Sequence, residues 1–205
     1  MVESEALAWL IAMQESLSAT EKQVVLCPPF TLLSALHKEI SQKHIQIQLG
    51  AQDISPFERG AYTGAVNGEQ IAEFAAYVLI GHSERRNYFA ENNRYIAQKV
   101  TLAKQANLIT IECVQGQETD IPEGVNIVAY EPVGAIGTGK PESAEQANEA
   151  ALAIKKKSAV PIVLYGGSVT AENVSSFTHM DAIDGVLVGG ASLHPQEFSQ
   201  IIHNA

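Results

Sequence analysis

Cysteine is scarce in this sequence, with Cys27 and Cys113 the only two in 205 residues. Both sit in apolar runs, so they read as buried thiols of a reducing compartment, and neither reads as a disulfide partner, a metal ligand or a nucleophile. Positive charge is also short: 13 Lys and Arg stand against 23 Asp and Glu, for a net charge of −10. That balance argues against general binding to nucleic acid or to an anionic membrane, and an anionic ligand would need local positive potential. No apolar run reaches the roughly 18 residues of a membrane span, and the first residues lack the basic and apolar regions of a signal peptide. The expected setting is soluble and cytoplasmic. No Pro/Gly/Ser-rich linker divides the chain, and 46% hydrophobic content can fill one sizeable core, so residues 1–205 are expected to form a single domain.

What is present is an alternation of short apolar, β-branched runs with longer amphipathic ones, the pattern of parallel strands joined by crossover helices in an α/β fold. Seven strands are expected, at 23–27, 45–52, 77–81, 108–114, 127–130, 161–165 and 185–188. Helices are expected at 4–16, 30–41, 69–74, 92–105, 143–157, 171–177 and 195–203. The stretch QGQETDIPEGVN, residues 115–126, is polar and holds Pro122 and Gly124, so a loop is expected there in place of a helix. Polar and glycine-rich segments follow four of the strands: GHSERR, EPVGAIGTGK, GGS and GGAS. In a parallel α/β fold ligands gather at the carboxyl ends of the strands, so these segments should converge on one face.

Within those segments, His82 leaves an apolar strand and precedes Ser83-Glu84-Arg85-Arg86, a helix start. A helix amino terminus favours the neutral imidazole, which can donate to a substrate carbonyl without carrying charge; a capping or core histidine is the plainer alternative. Ser83 can serve as a cap and Glu84 as a first-turn acid. Glu131 ends a four-residue apolar strand and is followed by Pro132, which restricts it to non-helical geometry. Residues 133–138 are mostly small or apolar, a composition suited to a closing lid that excludes water and raises the basicity of Glu131, although a plain surface loop has the same look. Gly167-Ser168 and Gly189-Gly190 could offer backbone N–H groups to a phosphate, or simply turn the chain.

Taken in order, YVLIGHSERR, YEPVGAIGTGK, VLYGGSV and DGVLVGGASL are similar to the signature segments of triosephosphate isomerases, with weaker likeness in LGAQDIS and GAYTGAV. The resemblance implies a TIM (β/α) barrel that interconverts dihydroxyacetone phosphate and glyceraldehyde 3-phosphate, a step of glycolysis and gluconeogenesis, without a cofactor or metal. It implies that Glu131 shuttles the proton while His82 polarises the carbonyl, with Ser83 and Glu84 supporting them. It further implies that Gly137, Ser168, Gly189 and Gly190 bind the phosphate, and that residues 60–64 dock into a second subunit to form a homodimer.

The sequence departs from that family in one serious respect. The family opens with a strand carrying an Asn-x-Lys segment, and no Asn-x-Lys triplet occurs in the 205 residues. MVESEALAWL reads as the first helix, so the first barrel strand and the lysine are expected to be missing and activity to be impaired. Whether Lys99, Lys104 or another cation stands in is open from sequence alone. In smaller departures, Gly134 replaces a Trp, Gln115 and Gly116 follow the Cys113 strand without the family's acid, and Ala65 replaces a Glu. The alternative reading is a non-catalytic phosphate-binding or interaction protein on the same scaffold.

Overall fold

The structure, a computed structural model, describes residues 1–135 and 140–205. It contains a seven-stranded sheet whose strand order follows the chain, each strand lying beside its neighbours in sequence. The chain forms two compact units, one of Met1–Ile80, Glu91–Ile111 and Pro122–Gly124, the other of Gly81–Ala90, Glu112–Ile121 and Val125–Ala205.

In the first unit, α1 (Glu3–Ala19) buries Ala6, Trp9, Leu10, Met13 and Leu17, a stripe at three- and four-residue spacing. It runs three residues beyond the expected Ser16, to an extended residue at Thr20. Strands β1 (Val25–Leu26), β2 (Gln48–Ala51) and β3 (Tyr77–Ile80) pair in parallel, with Leu26 opposite Leu49 and Gly50 opposite Tyr77. All four residues of β3 are buried, as expected of a parallel strand covered on both faces. A Cβ on Gly50 would stand 2.6 Å from the Cys27 sulfur, so only glycine lets these neighbours approach. Burial pushes the Cys27 thiol up to about 12, which keeps it protonated and chemically quiet. Helix α2 (Phe30–Lys43) packs on β2 and α5 (Asn93–Gln105) on β3, with α3 (Gly68–Ala72) against α5, and α5 is capped by the Asn92 side chain accepting from Tyr95 N–H. Here Lys99 is buried between Asp53 and Glu91, at 2.5 Å from a carboxylate oxygen of each.

In the second unit, α4 (Ser83–Tyr88) follows β3 directly. Strand β4 (Ile109–Val114) begins in the first unit and ends in the second. Strand β5 (Ile127–Tyr130) pairs in parallel with β6 (Ile162–Tyr165), Tyr130 opposite Tyr165, and β6 pairs with β7 (Gly185–Val186). Between β5 and β6 runs α6 (Ala144–Ser158), whose Ser143 and Gln146 form a reciprocal cap and whose last turn carries Lys155, Lys156 and Lys157 against the helix dipole. Helix α7 (Val174–Thr178), a 3₁₀ turn at Gly190–Leu193 and α8 (Pro195–Asn204) complete the chain.

The expected elements are all present, most with shifted ends. The strand expected over 23–27 is two residues long and that over 185–188 also two, because β1 and β7 stand at the ends of the strand order and have one ladder partner each. Helix α7 starts three residues later than expected, because Asn173 Oδ1 accepts from Thr170 N–H and holds that stretch as a turn. No helix forms over 115–126, as the Pro and Gly there imply; Lys157 Nζ instead donates to the Glu118 carbonyl at 2.9 Å and ties the loop down.

Candidate active site

Strand β5 and the corner between β3 and α4 deliver the central residues, all within the second unit. Glu131 leaves β5 with its N–H still donating to the Val114 carbonyl at 2.8 Å, so its backbone stays extended as Pro132 requires. Its carboxylate is buried, and both oxygens are held. Oε1 lies 3.1 Å from His82 Nε2, and Oε2 accepts from Ser83 N–H at 3.2 Å. Gly166 supports the carboxylate from behind: its N–H donates to the Tyr130 carbonyl at 2.8 Å, and a Cβ there would lie 3.0 Å from Glu131 Cγ.

His82 is the N-cap of α4, its Nδ1 accepting from Glu84 N–H at 3.3 Å. This hydrogen-bond pattern assigns the ring proton to Nε2, which then faces Glu131. The helix terminus favours the neutral ring, as expected, but the bond to Glu131 works the other way. It raises the imidazole above the ordinary histidine range, with burial opposing it and the charges of Glu131 and Glu84 adding to it. Ser83 is buried and contributes its backbone N–H; its hydroxyl has no hydrogen-bond partner among the described residues. Glu84 acts here through its N–H as well, since its carboxylate is mostly exposed and 3.9 Å from Nδ1.

The phosphate candidates divide. Ser168 stands at φ +51° after β6, and its hydroxyl donates to the Ala135 carbonyl at 2.5 Å, which ties it to the turn that follows Glu131. Gly189 and Gly190 are exposed at the start of the 3₁₀ turn, and a Cβ on either would meet nothing within 4 Å, which leaves room for a ligand to approach the backbone. Gly137 lies outside the described residues. The far end of the same segment is anchored next to its start: the Glu142 carboxylate accepts from Tyr130 Oη at 3.2 and 3.3 Å, and Glu142 N–H donates to Tyr165 Oη at 3.0 Å.

The sequence of the chain matches the family model described as triosephosphate isomerase over residues 2–126 and 122–205. The chain belongs to the triosephosphate isomerase family. Among curated relatives, the triosephosphate isomerase of Dictyoglomus thermophilum is 39% identical over 216 residues, spanning 89% of this chain and 86% of that protein. That of Synechococcus sp. (strain JA-2-3B'a(2-13)) is 36% identical over 210 residues, spanning 91% and 83%. The crystal structure of triosephosphate isomerase from Bartonella henselae superposes with a TM-score of 0.85 at 27% identity, covering all of this chain and 95% of that one. The seven parallel strands and their helices are thus a TIM (β/α) barrel fold with one strand fewer than eight among the described residues. Membership of this isomerase family places the chain among the enzymes of glycolysis, and no helix among the described residues is long and apolar enough to cross a membrane.

Two parts of the site escaped sequence reasoning. Gly166 looked like ordinary turn punctuation, yet it is the residue against which Glu131 packs. In the sequence Arg86 reads only as part of a helix start, with no role of its own. Instead its Nε donates to the Gly81 carbonyl at 2.8 Å and its Nη2 to the Cys113 carbonyl at 3.3 Å. The adjacent pair Arg85-Arg86 carried no sign of which one turns inward.

Proposed function

We propose that this chain interconverts dihydroxyacetone phosphate and glyceraldehyde 3-phosphate, with Glu131 as the base and His82 as the electrophile. The observation that carries this is the 3.1 Å contact between His82 Nε2 and Glu131 Oε1, with Ser83 N–H on the second oxygen. A glutamate base beside a histidine that is neutral in the reaction is this family's own known chemistry, and the pairing is taken from it. Glu131 removes a proton from C1 of the ketose while Nε2–H donates to the carbonyl oxygen at C2, giving an enediolate. A proton then passes from the C1 hydroxyl to the C2 oxygen, and return of the carbon-bound proton from Glu131 to C2 completes the aldose. Once the carboxylate turns to substrate, the bond that raises His82 is lost, and burial together with the Glu84 N–H on Nδ1 favours the neutral ring that the step requires.

Ser168, Gly189, Gly190 and Gly137 would hold the phosphate, the first three on the grounds given above. Activity of these 205 residues is reduced in this reading, because the cation that the family's Asn-x-Lys segment brings has no counterpart triplet here. Loss of one preorganised charge at a developing oxyanion costs on the order of 100- to 1,000-fold. Lys99 is no substitute, being engaged by Asp53 and Glu91 in the first unit. Residues 1–205 are read as one barrel domain, since β4 contributes to both units. A cytoplasmic homodimer is the proposed working form, the loop around residues 60–64 presenting an exposed stacked pair, Phe57 and Tyr62, with ring centroids 4.4 Å apart.

A coupled isomerase assay tests the reading. Measurable turnover is expected, falling by about 100- to 10,000-fold in Glu131→Gln. Wild type and variant equally inactive, with inorganic phosphate still bound in a titration, would instead favour the second reading, a non-catalytic phosphate-binding protein. The missing Asn-x-Lys triplet is the observation on that side.

A further inference from the structure

Arg86 takes no part in the proton transfer outlined above, yet it is committed to the corner that carries His82. Its backbone N–H donates to the His82 carbonyl at 3.1 Å, while its side-chain Nε–H donates to the Gly81 carbonyl at 2.8 Å. These two carbonyls belong to the peptide units on either side of His82, so Arg86 bears on both planes about which the His82 φ and ψ turn, sharing the His82 carbonyl with the Arg85 N–H at 2.8 Å. Its Nη2 reaches across to the Cys113 carbonyl at the end of β4, 3.3 Å away. Helix α4 has six residues, too few to hold its own shape, so His82 depends on such ties for its orientation.

A buried guanidinium favours an acid close by, and Glu112 is the acid beside it. Its carboxyl is fully buried, lies 3.8 Å from Arg86 Nη2, and has no hydrogen-bond partner for either oxygen among the described residues. At that distance it faces the guanidinium without displacing the N–H groups that the Gly81 and Cys113 carbonyls accept. The arrangement suits a guanidinium fork, whose rigid donors can span two acceptors; a lysine ammonium is a point charge that cannot.

We propose that Arg86, seated beside the buried Glu112, is a positioning residue that ties down the backbone at His82 and thereby holds its imidazole against Glu131. The effect on rate rests on the isomerase reading; the effect on the ring rests on the hydrogen bonds alone.

The test uses the full chain labelled with ¹⁵N-histidine, the His82 ring signals being assigned by their loss in His82→Gln. Their shifts report which nitrogen carries the proton, and kcat and KM are measured in parallel. In Arg86→Met the ring is expected to lose its Nε2–H preference, with kcat down by about 10- to 100-fold and KM changed by less than about 3-fold, the pattern of a misplaced group rather than a lost contact. Arg86→Lys should fall between, and Glu112→Gln should move the ring signals in the same sense as Arg86→Lys. A folded Arg86→Met protein with wild-type His82 signals overturns the assignment; if that variant does not fold, unchanged signals in Arg86→Lys overturn it equally. Unchanged signals in Glu112→Gln overturn the pairing with Glu112. An inactive wild type whose His82 signals still respond to the Arg86 variants supports the positioning role and counts against the isomerase reading alone.

Discussion

Ser83 is the first residue of α4, and the donor it offers Glu131 belongs to the backbone. Proline is well suited to that helix position and has no N–H, and His82 before it is already extended at φ −50° and ψ 141°. Ser83→Pro therefore removes the Glu131 contact while keeping the helix, and the buried hydroxyl it deletes has no partner to lose among the described residues. Because Glu131 must leave Ser83 before it can take a substrate proton, KM is expected to fall by up to about 5-fold, the worth of one hydrogen bond. A KM that rises instead would mean the contact organises the site. Glu112 gives a second prediction. Burial pushes its carboxyl up from 4.5 to about 8, against the opposing pull of Arg86. The unfolded chain ionises first as pH rises, so this group's contribution to stability is intact below about 4.5 and is lost progressively as pH climbs to about 8. Glu112→Gln should melt higher than wild type at pH 8 and show a smaller difference at pH 5, by thermal unfolding at both.

At the scale of elements, the boundaries that could be read in advance are those with strong local chemistry. Strand β5 matches its expected range of 127–130 because Pro132 stops it soon after and a polar loop precedes it. Helix α6 is legible from Ser143 and Gln146 at one end and its lysines at the other. The cap makes a direct prediction: Ser143→Ala should cost about 1 kcal/mol in urea unfolding. Where signals failed, the cause is tertiary. Glu112 and Cys113 are adjacent in β4, whose last five residues are all buried, so no alternation of polar and apolar residues told which side chain faces Arg86. The motif segments revealed Glu131, His82 and Ser83, because each lies where a strand meets a glycine or a helix start. The clamp by Arg86 was hidden, since it depends on the left-handed turn at Gly81, φ +73°, and on a side chain folding back along its own helix.

For the molecule as a whole, the family and its parallel fold were legible because four signature segments recur in order along most of the chain. The proposed dimer rests on features of the first unit that alternation cannot encode: Phe57 and Tyr62 stack at 11° between ring planes, Tyr95 meets Phe57 edge-on, and all three rings are exposed. If a second copy covers them, the melting temperature should rise with protein concentration, as mass action requires. A melting temperature independent of concentration, with a monomer's sedimentation, would refute the dimer. The same aromatic rings bear on how the enzyme is measured. A chain that leaves them in water on dissociation is expected to lose specific activity when diluted. Rates normalised to enzyme should then bend downward at nanomolar concentrations, and each kcat would belong to the concentration at which it was taken.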